Sequence, residues 1–181
     1  TDTTNVYVQE TAPDPASGGV WFRERRSVEG GVGIWSYDTG TFEIFSLGVA
    51  AAMGLVIVGS NKGNVYALSS GDGTLQWEYS ASNIQSFDTS DEIIVFGDSE
   101  DGNVYALSLA DGTEQWTYSA GNPVQSDIAI QDGTVVAGDN GGNVYALSLA
   151  DGTEHWNFQA QGAVSSGLEI AGGRVFFNGG D

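Results

Sequence analysis

Short apolar runs separated by turn-forming pairs recur along the chain, and their spacing predicts strands joined by tight hairpins. Within residues 124–159 the breaks Asp132-Gly133, Gly141-Gly142 and Asp151-Gly152 supply the positive φ that such hairpins need. Three hairpins join four strands, predicted near Val124–Ile130, Thr134–Gly138, Asn143–Ser148 and Thr153–Gln159. The preceding stretch repeats the scheme, with breaks at Asp91-Glu92, Asp101-Gly102 and Asp111-Gly112. No stretch carries a helical period. A strand with one wet face alternates apolar and polar residues, whereas Val65-Tyr66-Ala67-Leu68 and its copies are apolar throughout. Both faces of each sheet are therefore expected to be covered.

The pattern is an internal repeat. Gly-Asn-Val-Tyr-Ala-Leu begins at 63, 102 and 142, and tryptophans follow in register at Trp77, Trp116 and Trp156, with Trp35 earlier in the chain. Ser46, Ser86, Ser126 and Ser166 form a further column with a period of 40 residues. Four-stranded antiparallel sheets of this length, stacked face to face, describe the blades of a β-propeller. A solenoid of hairpins is the competing arrangement, and it usually shows a shorter repeat. The fold expected is thus all-β, with about four blades of a larger seven- or eight-bladed ring. One domain covers 1–181, with units near 5–54, 55–92, 93–133 and 134–173 and a partial strand over 174–181. The register begins in a second strand at Val6–Val8 and stops after another at Arg174–Asn178, which points to a fragment or to a half-ring that pairs with another chain.

At Ala106-Leu107-Ser108-Leu109-Ala110-Asp111-Gly112-Thr113-Glu114-Gln115-Trp116 the chain resembles the tryptophan-docking motif of the pyrroloquinoline-quinone (PQQ) repeat family. Ala106, Gly112 and Trp116 match that family's Ala-x-Asp-x-x-Thr-Gly-x-x-x-Trp, while Ser108 replaces its Asp and Asp111 its Thr. Ala67, Gly73 and Trp77 repeat the match, as do Ala146, Gly152 and Trp156, and a degenerate copy ends at Trp35. The resemblance implies that each indole wedges against the adjacent blade, so Trp35, Trp77, Trp116 and Trp156 read as structural docking residues.

Charge narrows the classes of function. The 181 residues hold 24 Asp+Glu against 5 Lys+Arg, a net charge of −19 that repels nucleic acid and anionic membranes. Such a surface also self-repels unless salt screens it, which suggests adaptation to high salt. With no cysteine and one histidine, disulfides, thiolate metal sites and multi-histidine centres are excluded. The uncharged stretch from Ile44 to Asn61 approaches the length of a membrane span, but the repeat divides it into two strands around Gly54, so no span is expected.

Candidate chemistry is sparse. Asp72, Asp111 and Asp151 share a hairpin column and read as turn residues; His155 stands in the column of Gln76 and Gln115 and reads as a solvated polar position. The loops at Asp98–Asn103 and Asp139–Asn143 gather oxygen donors suited to Ca²⁺, but their spacing is not that of a calcium loop and the sister loop contains Lys62, so no metal is expected. Units differ most on the first strand, which lines the channel of a propeller. There Gln85, Gln125 and the lone carboxylate Asp127 are the candidates for contact with a ligand. Arg23-Glu24-Arg25-Arg26 gathers three of the five cations and suits a carboxylate-bearing partner or the protection of a strand edge.

The resemblance carries an enzymatic alternative, a quinoprotein dehydrogenase fragment, in which PQQ would stack on a tryptophan with Ca²⁺ held by Glu and Asn. The vicinal disulfide common in those enzymes cannot form here. No cofactor is therefore expected, PQQ and calcium belonging only to that alternative. The reading preferred is a non-catalytic binding or scaffold module for a protein partner, or one that self-associates to complete the ring. It would be extracytoplasmic, at the cell surface or in the periplasm, with a lipid anchor available to the full-length protein. A lipoprotein propeller resembling outer-membrane-protein assembly factors is the other alternative.

Overall fold

The computed structural model describes residues 5–8, 19–25, 32–38, 49–60, 62–90 and 92–180, with the first three strands described by their backbone and the side chain of Tyr37. All regular structure among these residues is strand, arranged in five antiparallel sheets whose neighbours follow chain order. The first sheet has three strands, β1 (Asn5–Val8), β2 (Gly19–Arg25) and β3 (Val32–Asp38). The second has β4 (Val49–Ala52), β5 (Leu55–Gly59), β6 (Asn64–Ser69) and β7 (Leu75–Ser80). The third has β8 (Ile84–Thr89), β9 (Ile93–Asp98), β10 (Asn103–Ser108) and β11 (Glu114–Ser119). The fourth has β12 (Ala129–Gln131), β13 (Thr134–Gly138), β14 (Asn143–Ser148) and β15 (Glu154–Gln159), and the last has β16 (Val164–Ala171) and β17 (Arg174–Gly179).

The core lies between sheets. Ile57, Val65 and Ala67 of the second sheet pack with Ile94, Phe96 and Leu107 of the third. Val95, Val104 and Ala106 pack in turn with Val135, Ala137 and Tyr145 of the fourth. Middle strands are thus covered on both faces, as their unbroken apolar runs require. The first strands of successive sheets approach one another, β4 with β8, β8 with β12 and β12 with β16. The fourth strands are mostly exposed, and β7 and β11 bury only Trp77 and Trp116.

One element departs from its expected span. The ladder of the fourth sheet begins at Ala129, with a lone bridge from Val124 to Asp139, instead of running from Val124 to Ile130. Side chains have replaced ladder contacts there. Ser126 Oγ accepts the Gly138 amide at 2.6 Å and donates to the Asp127 carbonyl at 2.8 Å. The Ile128 and Ile130 amides reach back to the third sheet, donating to Ser86 Oγ at 3.2 Å and Asp88 Oδ2 at 2.9 Å.

Candidate functional site

The repeated tryptophans are placed by a register shift. Ala67 pairs with Trp77, Ala106 with Trp116 and Ala146 with Trp156, and in each sheet the ladder slips at the next residue. Such a bulge bends the strand and re-aims its side chains. Trp77 then lies against the third sheet, where its Nε1–H donates to the Leu109 carbonyl at 2.9 Å; Trp116 repeats this with Leu149 of the fourth sheet at 2.9 Å. A Cβ on Gly112 would stand 2.8 Å from the Trp77 ring, and one on Gly152 would stand 2.7 Å from the Trp116 ring. Glycine is required there by contact and also by φ values of 71° and 70°.

Tyrosine–carboxylate pairs reinforce these seams. The Tyr79 hydroxyl donates to Glu114 at 3.0 Å, and the Tyr118 hydroxyl donates to Glu154. Burial, followed by the adjoining glutamate, pushes both hydroxyls well above the ordinary phenol range, and burial with Asp139 does the same to Tyr145. Trp156 has the docking register without the cover: it is 42% exposed, against 7% for Trp77 and for Trp116. Trp35 keeps the same backbone register opposite Phe22, with the same slip after it, while its side chain lies outside the described residues.

Among the first-strand candidates, Gln85 is exposed and donates to Asn83 Oδ1 at 3.1 Å and Ser99 Oγ at 3.2 Å. Gln125 is half-buried. Asp127 is exposed, and its Oδ2 accepts the Gly167 amide of the last sheet at 2.8 Å. It thereby supplies a cross-sheet acceptor, as Ser86 does for Ile128 one unit earlier, while Ser126 is turned inward to Gly138. No hydrogen bond joins Gln85, Gln125 and Asp127 to one another. Ser46 and Arg26 lie outside the described residues.

The oxygen-rich loops are held by two buried carboxylates, Asp98 and Asp139. Asp98 accepts the amides of Ser82 and Asn83 on one oxygen, at 2.7 and 3.1 Å, and those of Glu100 and Asp101 on the other, at 2.8 and 3.3 Å. Asp139 accepts from the Asn143 amide at 2.8 Å, the Tyr145 hydroxyl at 2.9 Å and Asn122 Nδ2 at 3.2 Å. Ser60 fills this column in the second sheet. A polar residue directly after the glycines Gly59, Gly97 and Gly138 is the sequence signal for this anchor. Among the described residues no group of three or more His, Asp or Glu could hold a metal ion.

At the opposite end, Asp72, Asp111 and Asp151 accept hydrogen bonds within their own turns, and the chief donors are the side chains of Ser69, Thr113 and Thr153 respectively. These bonds hold all three carboxyls below the usual range. His155 is exposed on β15.

Over residues 11–126 and 100–181 the sequence matches the family described as outer membrane protein assembly factor BamB. The chain belongs to that family. No curated protein matches it in sequence. BamB from Moraxella catarrhalis is similar in fold, with a TM-score of 0.73 at 15% identity, covering 99% of this chain and 58% of that one. The computationally designed Ika8 protein gives 0.78 at 17% identity, covering 99% and 53%. A quinohemoprotein alcohol dehydrogenase from Pseudomonas putida gives 0.60 at 20% identity, covering 69% and 22%. The chain thus has between half and three-fifths of the length of the Ika8 and BamB chains, and these likenesses establish a BamB-like propeller of PQQ-type repeats. No helix among the described residues is long and apolar enough to cross a membrane.

Proposed function

We propose that the chain is a non-catalytic propeller module that binds a protein partner outside the cytoplasm through the end at which second- and third-strand turns meet the loops between sheets. The supporting observation is where the units vary. The Asp72, Asp111 and Asp151 turns repeat one set of hydrogen bonds to Thr74, Thr113 and Thr153. The other end changes from unit to unit: Lys62 lies in one turn, Glu100 and Asp101 in a turn one residue longer, and Asn140 in the third, all exposed. Loops carried on a rigid scaffold and differing in length and charge are suited to selective contact.

The reading without PQQ is supported by the enclosure of Trp77 and Trp116 in seams, which leaves neither indole as a stacking platform. Titration with PQQ and Ca²⁺, followed by absorbance and calorimetry, is expected to give no saturable binding; stoichiometric binding would favour the dehydrogenase reading. For the loop surface, residues 99–102 are replaced by the Asn140-Gly141-Gly142 turn. A partner retained in molar KCl by the natural chain and lost by this variant supports the proposal, whereas equal retention overturns it. Assembly of outer-membrane proteins is the second reading, supported by the description of the family.

A further inference from the structure

We propose that acid opens one corner of the partner-facing end, at the third sheet, because Asp98 clamps that corner only while its carboxylate is charged; the equivalent corners of the second and fourth sheets stay closed. Asp98 is fully buried. Its Oδ2 accepts the amides of Ser82 and Asn83, in the loop that enters β8, and its Oδ1 accepts those of Glu100 and Asp101, in the turn between β9 and β10. One side chain thus ties an inter-sheet loop to one of the variable turns. All four partners are N–H donors, which cannot accept a proton in return. A proton on either oxygen would therefore face two donors and leave them without their acceptor, with the loss of charge-assisted bonds.

The sister corners are built differently. Ser60 accepts the Lys62 and Asn64 amides, at 3.3 and 3.2 Å, through a hydroxyl that does not titrate in acid. Asp139 is a carboxylate, but one of its donors is the Tyr145 hydroxyl at 2.9 Å, which also lies 3.0 Å from the Ala120 carbonyl. By turning to Ala120 that hydroxyl can accept a proton from Asp139, so the bond reverses instead of breaking. No hydroxyl among the described residues is bonded to Asp98. The titratable groups around it are Glu100 and Asp101 in its own turn and Tyr105 on β10, whose hydroxyl donates to Asp101. The loop before β8 brings Ser82 and Asn83, the fourth sheet adjoins through the Val124 amide, and Lys62 in the neighbouring turn is not among the donors to the carboxylate. The charge of Asp98 is therefore held by amides alone.

Amide hydrogen exchange, followed by NMR in molar KCl from pH ~7 to ~4 and divided by the intrinsic rate, reads the clamp directly. Protection of the Ser82, Asn83, Glu100 and Asp101 amides should fall by about tenfold or more in acid, while the Asn64 and Asn143 amides and the near-UV circular dichroism keep their neutral values. Asp98→Asn, uncharged throughout, should show the acid pattern already at pH ~7. Asp98→Ser, which installs the residue of the second sheet, should make exchange at the four amides independent of pH over this range. Four amides that stay protected until the near-UV signal is lost overturn the proposal, as does release of the Asn143 amide together with them. Control of partner binding by this corner rests on the module reading. The exchange experiment involves no partner, so a clamp that fails here leaves the retention test of the 99–102 variant standing, and the reverse.

Discussion

Trp116 and Trp156 stand at the ends of two nearly identical segments, Asn103–Trp116 and Asn143–Trp156, which differ only at Gln115 and His155. Trp116 is buried under Leu149 and Gly152, while Trp156 is 42% exposed on a strand whose every residue is exposed. The same residues are buried at one position and exposed at the other. Burial here is a property of the neighbour, not of the strand that carries the indole.

Substitution at the two tryptophans breaks the comparison most sharply. Trp116→Ala should cost about 3–5 kcal/mol in urea unfolding, while Trp156→Ala in the monomer should cost within about 1 kcal/mol. Equal losses would mean that the fourth sheet's outer face is covered in solution. Glycine substitutions separate contact from backbone strain. Gly133→Ala meets φ 75° with open space around it and should cost about 1 kcal/mol; Gly152→Ala meets φ 70° and the Trp116 ring and should cost about 3 kcal/mol.

The smallest effect concerns the tyrosines. Tyr118→Phe removes the bond to Glu154 and should cost about 1 kcal/mol, whereas Phe158→Tyr should leave stability unchanged. Tyr79, Tyr118 and Tyr145 have hydroxyls raised above 10.0, so the folded chain keeps protons that the unfolded chain releases. Their contribution is complete below that pH and declines as the pH climbs past it. Melting temperature measured across the alkaline range should therefore fall, less steeply in Tyr118→Phe.

What was legible in the sequence follows from distance along the chain. Asp-Gly turns and apolar runs act within a few residues, so the hairpins at 132–133 and 151–152 and the central strands could be read directly. Docking by Trp77 and Trp116 became legible because the motif repeats and resembles a known one. Exposure of Trp156 was hidden, since its own segment matches the buried copy. The role of Asp127 was hidden too: it depends on the Gly167 amide lying 2.8 Å away, forty residues later. Asp98 resembled a cation ligand because the sequence shows its oxygen but not the Ser82 and Asn83 amides that occupy it.

The first strands have one more consequence, for the order in which the chain assembles. The third strands β10 and β14 are identical, so a wrong pairing of β10 with β15 would keep part of the ladder, the kind of misassembly to which repeat proteins are prone. Exchanging β8 with β12 would instead forfeit the links from Asp88 to Ile130 and from Asp127 to Gly167. The innermost strands thus act as address labels that tell each otherwise duplicated blade which neighbour comes next.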